Sequence, residues 1–173
     1  MQSLPNDPAN ITDACQAIIG QPVWGIHQGH GTALFVEFGD PHLIVREPYK
    51  ALSNANEKMR RRAAQRQITL SGRWSFLVFP GTWLLQQDGL SIGSDDVQTV
   101  ERDARLSEFN GQYLETVAFD PAAIELRFTF DLGATMIIGH NPEIDDELLL
   151  FTPKGGRTLG LRSDGILTMD IGA

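Results

Sequence analysis

The sequence has little that would indicate export, membrane insertion or disulfide bonding. Its 173 residues include one cysteine, Cys15, so no internal disulfide can form, which fits a reducing cytosol. No apolar run approaches the ~20 residues that a membrane-spanning helix needs. The first residues, MQSLPNDPANITDA, lack the basic start and the apolar stretch of a secretion signal. We therefore expect a cytoplasmic protein that contacts no membrane.

Motifs for catalysis and cofactor binding are also missing. The sequence contains no Gly-x-Ser-x-Gly elbow, phosphate-binding loop, dinucleotide fingerprint, cysteine pair or His-Glu-x-x-His helix. Acidic runs such as Asp145-Asp146-Glu147 have no spacing that indicates a general acid and base. We expect no cofactor and assign no catalytic residue and no metal. The sequence leaves open whether the protein is an enzyme and favours a non-enzymatic role.

Charge is distributed unevenly along the chain. The formal net charge of −8 argues against general nucleic-acid binding, because the phosphate backbone favours a net basic surface. Residues 46–73 nevertheless contain eight basic and two acidic residues, so this segment carries +6 and the remainder −14. Clustered arginines suit both carboxylates and phosphates, although no aromatic residue is interleaved with them, which weakens an interpretation as a single-stranded nucleic-acid site. The candidates for binding a protein partner, or the acidic stretches of a second copy, are Arg60, Arg61, Arg62 and Arg66. The competing interpretation is an ordinary solvated insert.

The chain resembles itself at a shift of 91 to 92 residues. Three pairs of segments align: IIGQPVWGI (18–26) with FNGQYLETV (109–117), LFVEFGD (34–40) with LRFTFDL (126–132), and FPGTWLLQQDG (79–89) with PKGGRTLGLRSDG (153–165). The apolar period, the glycine positions and the order of elements recur together, which indicates an internal duplication. We predict a single compact domain over 1–173, with repeat one at about 11–92, a basic insert at 40–67, and repeat two at about 95–169.

Several segments have the pattern of strands. AIELRFTFDL alternates apolar and polar residues from Ile124 to Leu132, the signature of a strand with one buried face. ITLSGRWSFLVF alternates similarly, and its predicted buried face consists of Ile68, Leu70, Trp74, Phe76 and Val78. Further short strands, separated by turn signals, are predicted around Trp83–Leu85, Leu148–Phe151, Thr158–Leu161 and Ile166–Met169.

Each half also opens with a candidate helix. ITDACQAII has capping residues at Thr12 or Asp13 and ends at Gly20; DDVQTVERDARLSEF has them at Asp95 or Asp96 and ends before Gly111. In the second helix Val97, Val100 and Ala104 recur at helical spacing. Cys15 aligns with Leu106 and is predicted to be a small core residue.

Together these patterns predict an α+β, mainly β protein with an internally duplicated, pseudo-twofold unit. Each half is a short helix followed by four to five antiparallel strands. The alternation of buried and polar residues fits either a sandwich or a partly closed barrel, and the sequence does not decide between them.

The stretch IIGQPVWGIHQGHG contains two histidines three residues apart, His27 and His30, with Trp24 nearby. Two histidines could begin a metal site, but a zinc site needs at least a third ligand, for which the candidates are His42, Glu37 and His140. The corresponding segment of the second half, AFDPA, makes a turn without histidine, which favours ordinary turn or surface residues. We keep His27, His30 and Trp24 as candidates for a small-ligand site or a metal-dependent enzyme.

The stretch FNGQYLETVAFDPAAIELRFTFDLGATMII, followed by TLGLRSDG, resembles small uncharacterised bacterial β-rich domains. Those combine a Gly-Gln after a helix, an FDLG strand end and a closing Arg-x-Asp-Gly, and SGRWSFLVFPGTW is similar to their Trp-bearing strand pair. Here FDLG continues with Ala134 rather than another glycine, and Leu148 to Leu150 occupy a strand where tryptophan is expected. The resemblance spans most of residues 18–168. It implies a bacterial cytosolic domain and transfers no activity and no catalytic residue.

The functional expectation follows from the charge asymmetry and the missing catalytic motifs. We expect a non-enzymatic protein-interaction protein, of the regulatory or immunity type, whose first half and basic insert meet a protein partner or a second copy. No nucleic acid and no membrane is expected as a partner. The alternative is a small-ligand-binding protein or metal-dependent enzyme that uses the His27 and His30 region.

Overall fold

The protein is mainly β in the part that the computed structural model describes, which comprises residues 2–4, 8–79, 81–96, 100–140, 147–151, 157–162 and 166–171. Here the helices are α1 (Pro8–Cys15), continued by a 3-10 turn (Gln16–Ile18), α2 (Glu57–Ala63) and α3 (Val100–Glu108). The strands are β1 (Gln2–Leu4), β2 (Val23–Gln28), β3 (Leu34–Phe38), β4 (His42–Arg46), β5 (Gln67–Ser71), β6 (Trp74–Phe79), β7 (Thr82–Gln87), β8 (Leu90–Gly93), β9 (Leu114–Asp120), β10 (Glu125–Phe130), β11 (Thr135–Gly139), β12 (Glu147–Phe151), β13 (Arg157–Arg162) and β14 (Leu167–Ile171).

Two antiparallel sheets form the body of the protein. The seven-stranded sheet has the order β1-β14-β13-β12-β6-β3-β2, and the five-stranded sheet has the order β8-β7-β11-β10-β9. Both contribute to one apolar core, in which Phe76 of the first sheet contacts Phe128 of the second edge to face, with ring centroids 5.4 Å apart. The α+β, mainly β class is confirmed, and the sheets do not form one closed barrel.

The predicted alternation holds best in β10. Leu126, Phe128 and Phe130 are buried and Arg127 is exposed, so one face of the strand contacts the core. Leu132, which the alternation would also bury, lies beyond the strand in a turn and is 64% exposed. Ile124 precedes the strand with a positive φ of 51°. The four short predicted strands are present as β7, β12, β13 and β14.

The helices differ from their predicted positions. Helix α1 begins at Pro8 rather than at Thr12 or Asp13, and proline suits the first helical position because its missing N–H would have no partner there. In α3, Val100 is 86% exposed and Ala104 is exposed, so the predicted apolar spacing does not face the core. The predicted caps of α3, Asp95 or Asp96, are followed by residues 97–99, which lie outside the described ones, and the described part of the helix begins at Val100. No helix in the described chain is long and apolar enough to span a bilayer.

A reciprocal set of main-chain hydrogen bonds joins the segments that follow α1 and α3. Gly20 N donates to Leu114 O and Gly111 N donates to Val23 O, both at 2.7 Å. Val23 N donates to the Gln112 carbonyl at 2.8 Å, and Leu114 N to the Gln21 carbonyl at 3.1 Å. Through this pairing α1 contacts β9 and α3 contacts β2, so each helix lies against the first strand after the other.

Strands β4 and β5 form a separate two-stranded ribbon that carries α2 between them. We call residues 42–71 the arm. The arm extends the β3–β6 ladder. That ladder ends where Phe38 pairs with Trp74, and pairing resumes in the arm where His42 pairs with Ser71. Residues 39–41 and 72–73 interrupt the two strands between these pairs. In the other sheet, the adjacent strands β10 and β11 are joined by the short turn 131–134.

The continuous buried face predicted for ITLSGRWSFLVF is therefore wrong in its first half. Gly72 and Arg73 interrupt the strand, so Phe76 and Val78 enter the core whereas Ile68 and Leu70 belong to the arm and are exposed. Alternation identifies the face of a strand, but it does not say whether a core lies opposite that face.

We predict that the body folds without the arm, because no residue of 39–73 belongs to the apolar core. In the test variant, residues 39–73 are replaced by Asp-Leu-Gly, the sequence that links Phe130 to Ala134. The variant should unfold cooperatively on heating, with a free energy of unfolding lower by about 1–3 kcal/mol because hydrogen bonds at the base of the arm are lost. The matched control is Leu126→Ala in the core, expected to cost about 2–5 kcal/mol. A variant without a cooperative transition would contradict the prediction.

Candidate protein interface

The arm exposes a row of aliphatic side chains. The register pairs Leu43 with Leu70 and Val45 with Ile68, and alternate residues of a strand point to the same side, so these four share one face. We call Leu43, Val45, Ile68 and Leu70 the apolar face. Each of the four is 51–63% exposed. Single exposed apolar residues are ordinary, but four contiguous ones on a projecting ribbon are typical of an interaction surface.

The end of the arm is basic. Asn56 caps α2, its side chain accepting from Met59 N at 2.9 Å, and the exposed Arg60, Arg61 and Arg62 form the last turn. Cations are favourable there because the C-terminal end of a helix carries partial negative charge. In total the arm has seven basic and two acidic residues, a formal +5, against −13 for the rest of the chain.

The structure brings Arg60, Arg61 and Arg62 together on α2 and places Arg66 just after it, so the four predicted partner-binding residues share one region. Two of them have acidic partners. Arg66 makes a bidentate contact with Glu47, with the shortest distance 2.8 Å, and Arg61 pairs with Glu57 at 2.5 Å. Arg60 donates to the Ser53 carbonyl at 2.8 Å. In the described chain Arg62 takes part in no ion pair, so its charge is available to a partner.

The base of the arm is fixed by polar contacts to one carboxylate. Glu37 Oε2 accepts hydrogen bonds from Ser75 Oγ at 2.6 Å, Gly72 N at 2.8 Å and Ser71 Oγ at 3.4 Å. Gly72 packs so closely on the body that an added Cβ would lie 2.6 Å from the Phe38 carbonyl oxygen. These contacts tie the last residue of the arm and the start of β6 to β3.

Aromatic residues complete this base on the other strand. Trp24 Nε1 donates to the Gly39 carbonyl at 2.8 Å, and Gly39, with φ +77°, lies against the Trp74 ring. The Arg73 guanidinium lies over that ring, 4.8 Å from its centroid. We call the residues of this region the joint: Trp24, Glu37, Gly39, Ser71, Gly72, Trp74 and Ser75. The joint holds the arm in a defined direction from the body.

The histidine candidates lie towards the turn of the β2–β3 hairpin, whose other end carries Trp24 and Glu37 of the joint. His27 is exposed, stacks on Phe35 with ring centroids 5.0 Å apart, and donates through Nδ1 to the Gly25 carbonyl at 2.7 Å. His30 is exposed in the turn that follows β2, where Gly29 N and Ala33 O are hydrogen-bonded at 2.8 Å. The structure therefore assigns the candidates to two places, with Trp24 at the joint and the histidines towards the turn of the hairpin.

A metal site is not assembled around these histidines in the described residues. No group of three or more His, Cys, Asp or Glu side chains there is placed to hold a metal ion. The proposed third ligand Glu37 is engaged in the joint, and His42 lies at the base of the arm opposite Ser71. His140 follows the end of β11. The geometry thus gives no support to the metal-dependent alternative.

Sequence reasoning missed the apolar face and a buried arginine. Leu43 and Val45 lie in HLIVR, within the predicted insert at 40–67, and the available signal for them was that an insert has no core strand opposite it. Ile68 and Leu70 lie in QITLS, mostly beyond that insert, where alternation predicted burial. Arg102 gave no signal: it is buried over the Trp83 ring, 5.0 Å from its centroid, and donates to the carbonyls of Gly93 and Asp96.

Cys15 is a buried core residue, as predicted. Burial raises the pKa of the Cys15 thiol from 9.0 to about 12, because the charged thiolate loses its hydration in apolar surroundings. A thiol with this pKa stays protonated near neutral pH and is a poor nucleophile. Cys15 therefore contributes packing rather than chemistry.

Comparison with protein-family models, with curated proteins and with solved structures finds no match for this chain. The function is therefore inferred from the geometry of the arm and the joint.

We predict that Glu37→Ala loosens the arm. The change leaves the Gly72 N–H and the Ser75 hydroxyl without their acceptor, which costs about 1–3 kcal/mol of stability. Trypsin should then cleave after Arg60 to Arg62 at least several-fold faster than in the unchanged protein. The matched control is Glu115→Ala on β9, an exposed carboxylate that should alter stability by less than about 0.5 kcal/mol. Equal cleavage rates for both variants would contradict a rigid joint.

We predict that the Cys15 thiol resists reaction with a disulfide reagent in the folded protein. Moving the thiol pKa from 9.0 to about 12 lowers the thiolate fraction at pH 8 by about 1000-fold. Because folding raises the pKa of this thiol, the folded state binds the thiol proton more tightly than the unfolded state does. The resulting contribution to stability is fully present below pH 9 and is lost as the pH rises towards 12. Reaction with a chromogenic disulfide reagent at pH 8, with and without urea, measures the difference. Rapid reaction without urea would show that the thiol is accessible.

Proposed function

We propose that this is a non-enzymatic interaction protein, in the class of regulatory and immunity proteins, whose arm binds an acidic protein surface. The observation that carries the proposal is the apolar face beside the basic α2, held on a projecting ribbon by the joint. The proposal names a surface and the chemistry of its partner, and each of the two parts of the arm contributes to that chemistry.

The apolar face supplies part of the binding energy. If each of its four side chains buries roughly 100 Å², contact with a partner removes about 400 Å² from water, which corresponds to about 10 kcal/mol at ~25 cal/mol per Å². Association itself costs about 4–15 kcal/mol. Because the two magnitudes are similar, the aliphatic row alone gives at best weak binding. A stable complex needs further contacts from the same partner.

The charges of the arm supply those contacts and select the partner. An arm of +5 is attracted to a surface rich in carboxylates, and the Arg60 to Arg62 cluster can bind them through paired N–H groups. A nucleic acid fits less well. Aliphatic side chains offer no stacking surface for bases, and the −13 of the remaining chain repels phosphates. The partner that matches both parts of the arm is an acidic protein with an apolar groove.

The placement of the arm supports a duplicated body as its scaffold. The first half contributes β2-β3-β6 to one sheet and β7-β8 to the other, and the second half contributes β9-β10-β11 and β12-β13 in the same order. The hydrogen bonds between residues 20–23 and 111–114 are reciprocal under the same shift of 91 residues. We take the arm as an insertion into one half of a duplicated, pseudo-twofold unit, at the position of the 131–134 turn.

We predict that a photoreactive p-benzoylphenylalanine at Val45 forms one discrete covalent adduct in cells that express the protein. Mass spectrometry should identify the captured protein and show an acidic surface sequence at the crosslinked peptide. The same residue at Leu132, which is 64% exposed on the body against 51% for Val45, is the control and should form no such adduct. Adducts of equal yield at both positions, or none at Val45, would remove the arm as the interface.

Charge reversal tests the basic end of the arm separately. Arg60→Glu, Arg61→Glu and Arg62→Glu together should reduce the Val45 adduct at least tenfold, since attraction to carboxylates becomes repulsion. Arg105→Glu on α3 reverses an exposed arginine of the body and should leave the yield unchanged. An adduct that persists after reversal of the arm would show that charge does not select the partner.

A further inference from the structure

We infer that the acidic surface bound by the arm lies on a second copy of this chain, so that molecules associate through an arm-to-groove contact. This inference rests on the proposed function of the arm and specifies its partner. Three features of the molecule support it: a groove whose chemistry complements the arm, the position of that groove relative to the arm, and the distribution of charge between the arm and the body.

The groove lies on the outer face of the five-stranded sheet and has a cavity volume of about 480 Å³, within the usual range of binding clefts. Leu84 and Ile137, paired across β7 and β11, supply its aliphatic floor. Gly93 and Gly139 flank that floor without side chains. A Cβ on Gly139 would lie 3.0 Å from Thr82 Oγ1, so the glycine leaves the cavity open. The floor accepts aliphatic side chains such as those of the apolar face.

The rim of the groove carries three carboxylates, on Asp95, Asp96 and Glu125. Glu125 pairs with Arg127 at 3.0 Å, and Asp96 Oδ2 accepts from Gly93 N at 2.7 Å. Asp95 is exposed and, within the described chain, pairs with no cation. Arg127 and the buried Arg102, which donates to the Gly93 and Asp96 carbonyls, offset part of this acidic charge, so Asp95 is the carboxylate available to an arm. An aliphatic floor beside this carboxylate complements an aliphatic row beside arginines. We call this site, defined by Leu84, Asp95, Asp96, Glu125 and Ile137, the acidic groove.

The acidic groove and the arm lie at opposite ends of β6. The arm joins the body at Trp74, whereas the chain leaves β6 at Phe79 and reaches the groove at Thr82. Six residues of strand span about 20 Å at ~3.3 Å per residue. In this structure the apolar face remains exposed, so the molecule does not cover its own arm. A second molecule is therefore required to bring the two surfaces together.

Charge favours the arm-to-groove contact over contact between two arms. Contact between two apolar faces would bring +5 against +5. An arm on a groove brings +5 against a body of −13. Because the two surfaces differ, three assemblies are compatible with this contact: a dimer in which two molecules exchange arms, a closed ring, or an open chain of molecules.

Sedimentation velocity on purified variants tests this contact. The unchanged protein should sediment above its monomer mass of 19.1 kDa. Reversal of the arm (Arg60→Glu, Arg61→Glu, Arg62→Glu) and reversal of the groove (Asp95→Lys, Glu125→Lys) should each weaken self-association at least tenfold. An equimolar mixture of the two variants should regain it, because each arm again faces a groove of opposite charge. Circular dichroism verifies that both variants are folded, and Glu115→Lys is the matched control that should associate normally.

The outcomes separate this inference from the proposed function. A monomeric unchanged protein, or a groove variant that associates as tightly as the unchanged protein, overturns the arm-to-groove contact. If the Val45 adduct then contains a different acidic protein, the proposed function of the arm stands alone. If Val45 gives no adduct, both fail. An adduct that joins Val45 to a peptide of the acidic groove supports both.

Discussion

The pairing of residues 20–23 with residues 111–114 is the constraint on which the rest of the body depends. Each segment lies between a helix and the first strand of a sheet, so four main-chain hydrogen bonds position two helices and two sheets at once. Gly20 and Gly111 both have positive φ, which lets the chain turn directly from helix to strand. Once these segments are paired, α1 lies on β9 and α3 on β2, and the apolar faces of the two sheets meet over one core.

The arm takes its direction from the same framework. It continues the β3–β6 ladder, and β3 is paired to β2, which follows the constrained segment directly. Glu37 and Trp24 then attach the arm to β3 and β2, so the ribbon is fixed to two strands of the seven-stranded sheet. A flexible tether would lose much of its binding energy in becoming ordered, whereas a ribbon held at its base loses less. In the proposed complex the joint therefore strengthens binding without touching the partner.

Sequence patterns predicted the strands of the body well and the burial of the arm poorly. Alternation in LRFTF identified a core strand, since Leu126, Phe128 and Phe130 have a sheet opposite them. Alternation in ITLS has the same appearance, but Ile68 and Leu70 have no sheet opposite them. The start of α1 was misplaced because residues capable of capping are also tolerated inside a helix. The burial of Arg102 depends on carbonyl groups and an indole distant in sequence, and no local pattern encodes such a pocket.

For the candidate site, composition was more informative than motif. The surplus of arginine between residues 46 and 73 predicted the basic end of the arm. The two histidines of the HQGH stretch lie outside the arm, so that motif did not locate the candidate interface. What composition could not provide is the separation of the arm from the body. That separation results from Gly72 and Arg73, which end one strand and begin another, and from the close approach of Gly72 to the Phe38 main chain.

The two-stranded construction of the arm has a consequence for solubility. A ribbon of two strands has two open edges, and open edges with aliphatic side chains are templates for uncontrolled strand addition. Arg46, Lys50 and the arginines of α2 place positive charge around these edges, so two arms that approach each other side by side are repelled. The cations thus disfavour strand pairing between two arms, and in the proposed complex they favour contact with an acidic surface. Neutralising them would be expected to produce aggregates before it produced a better-behaved monomer.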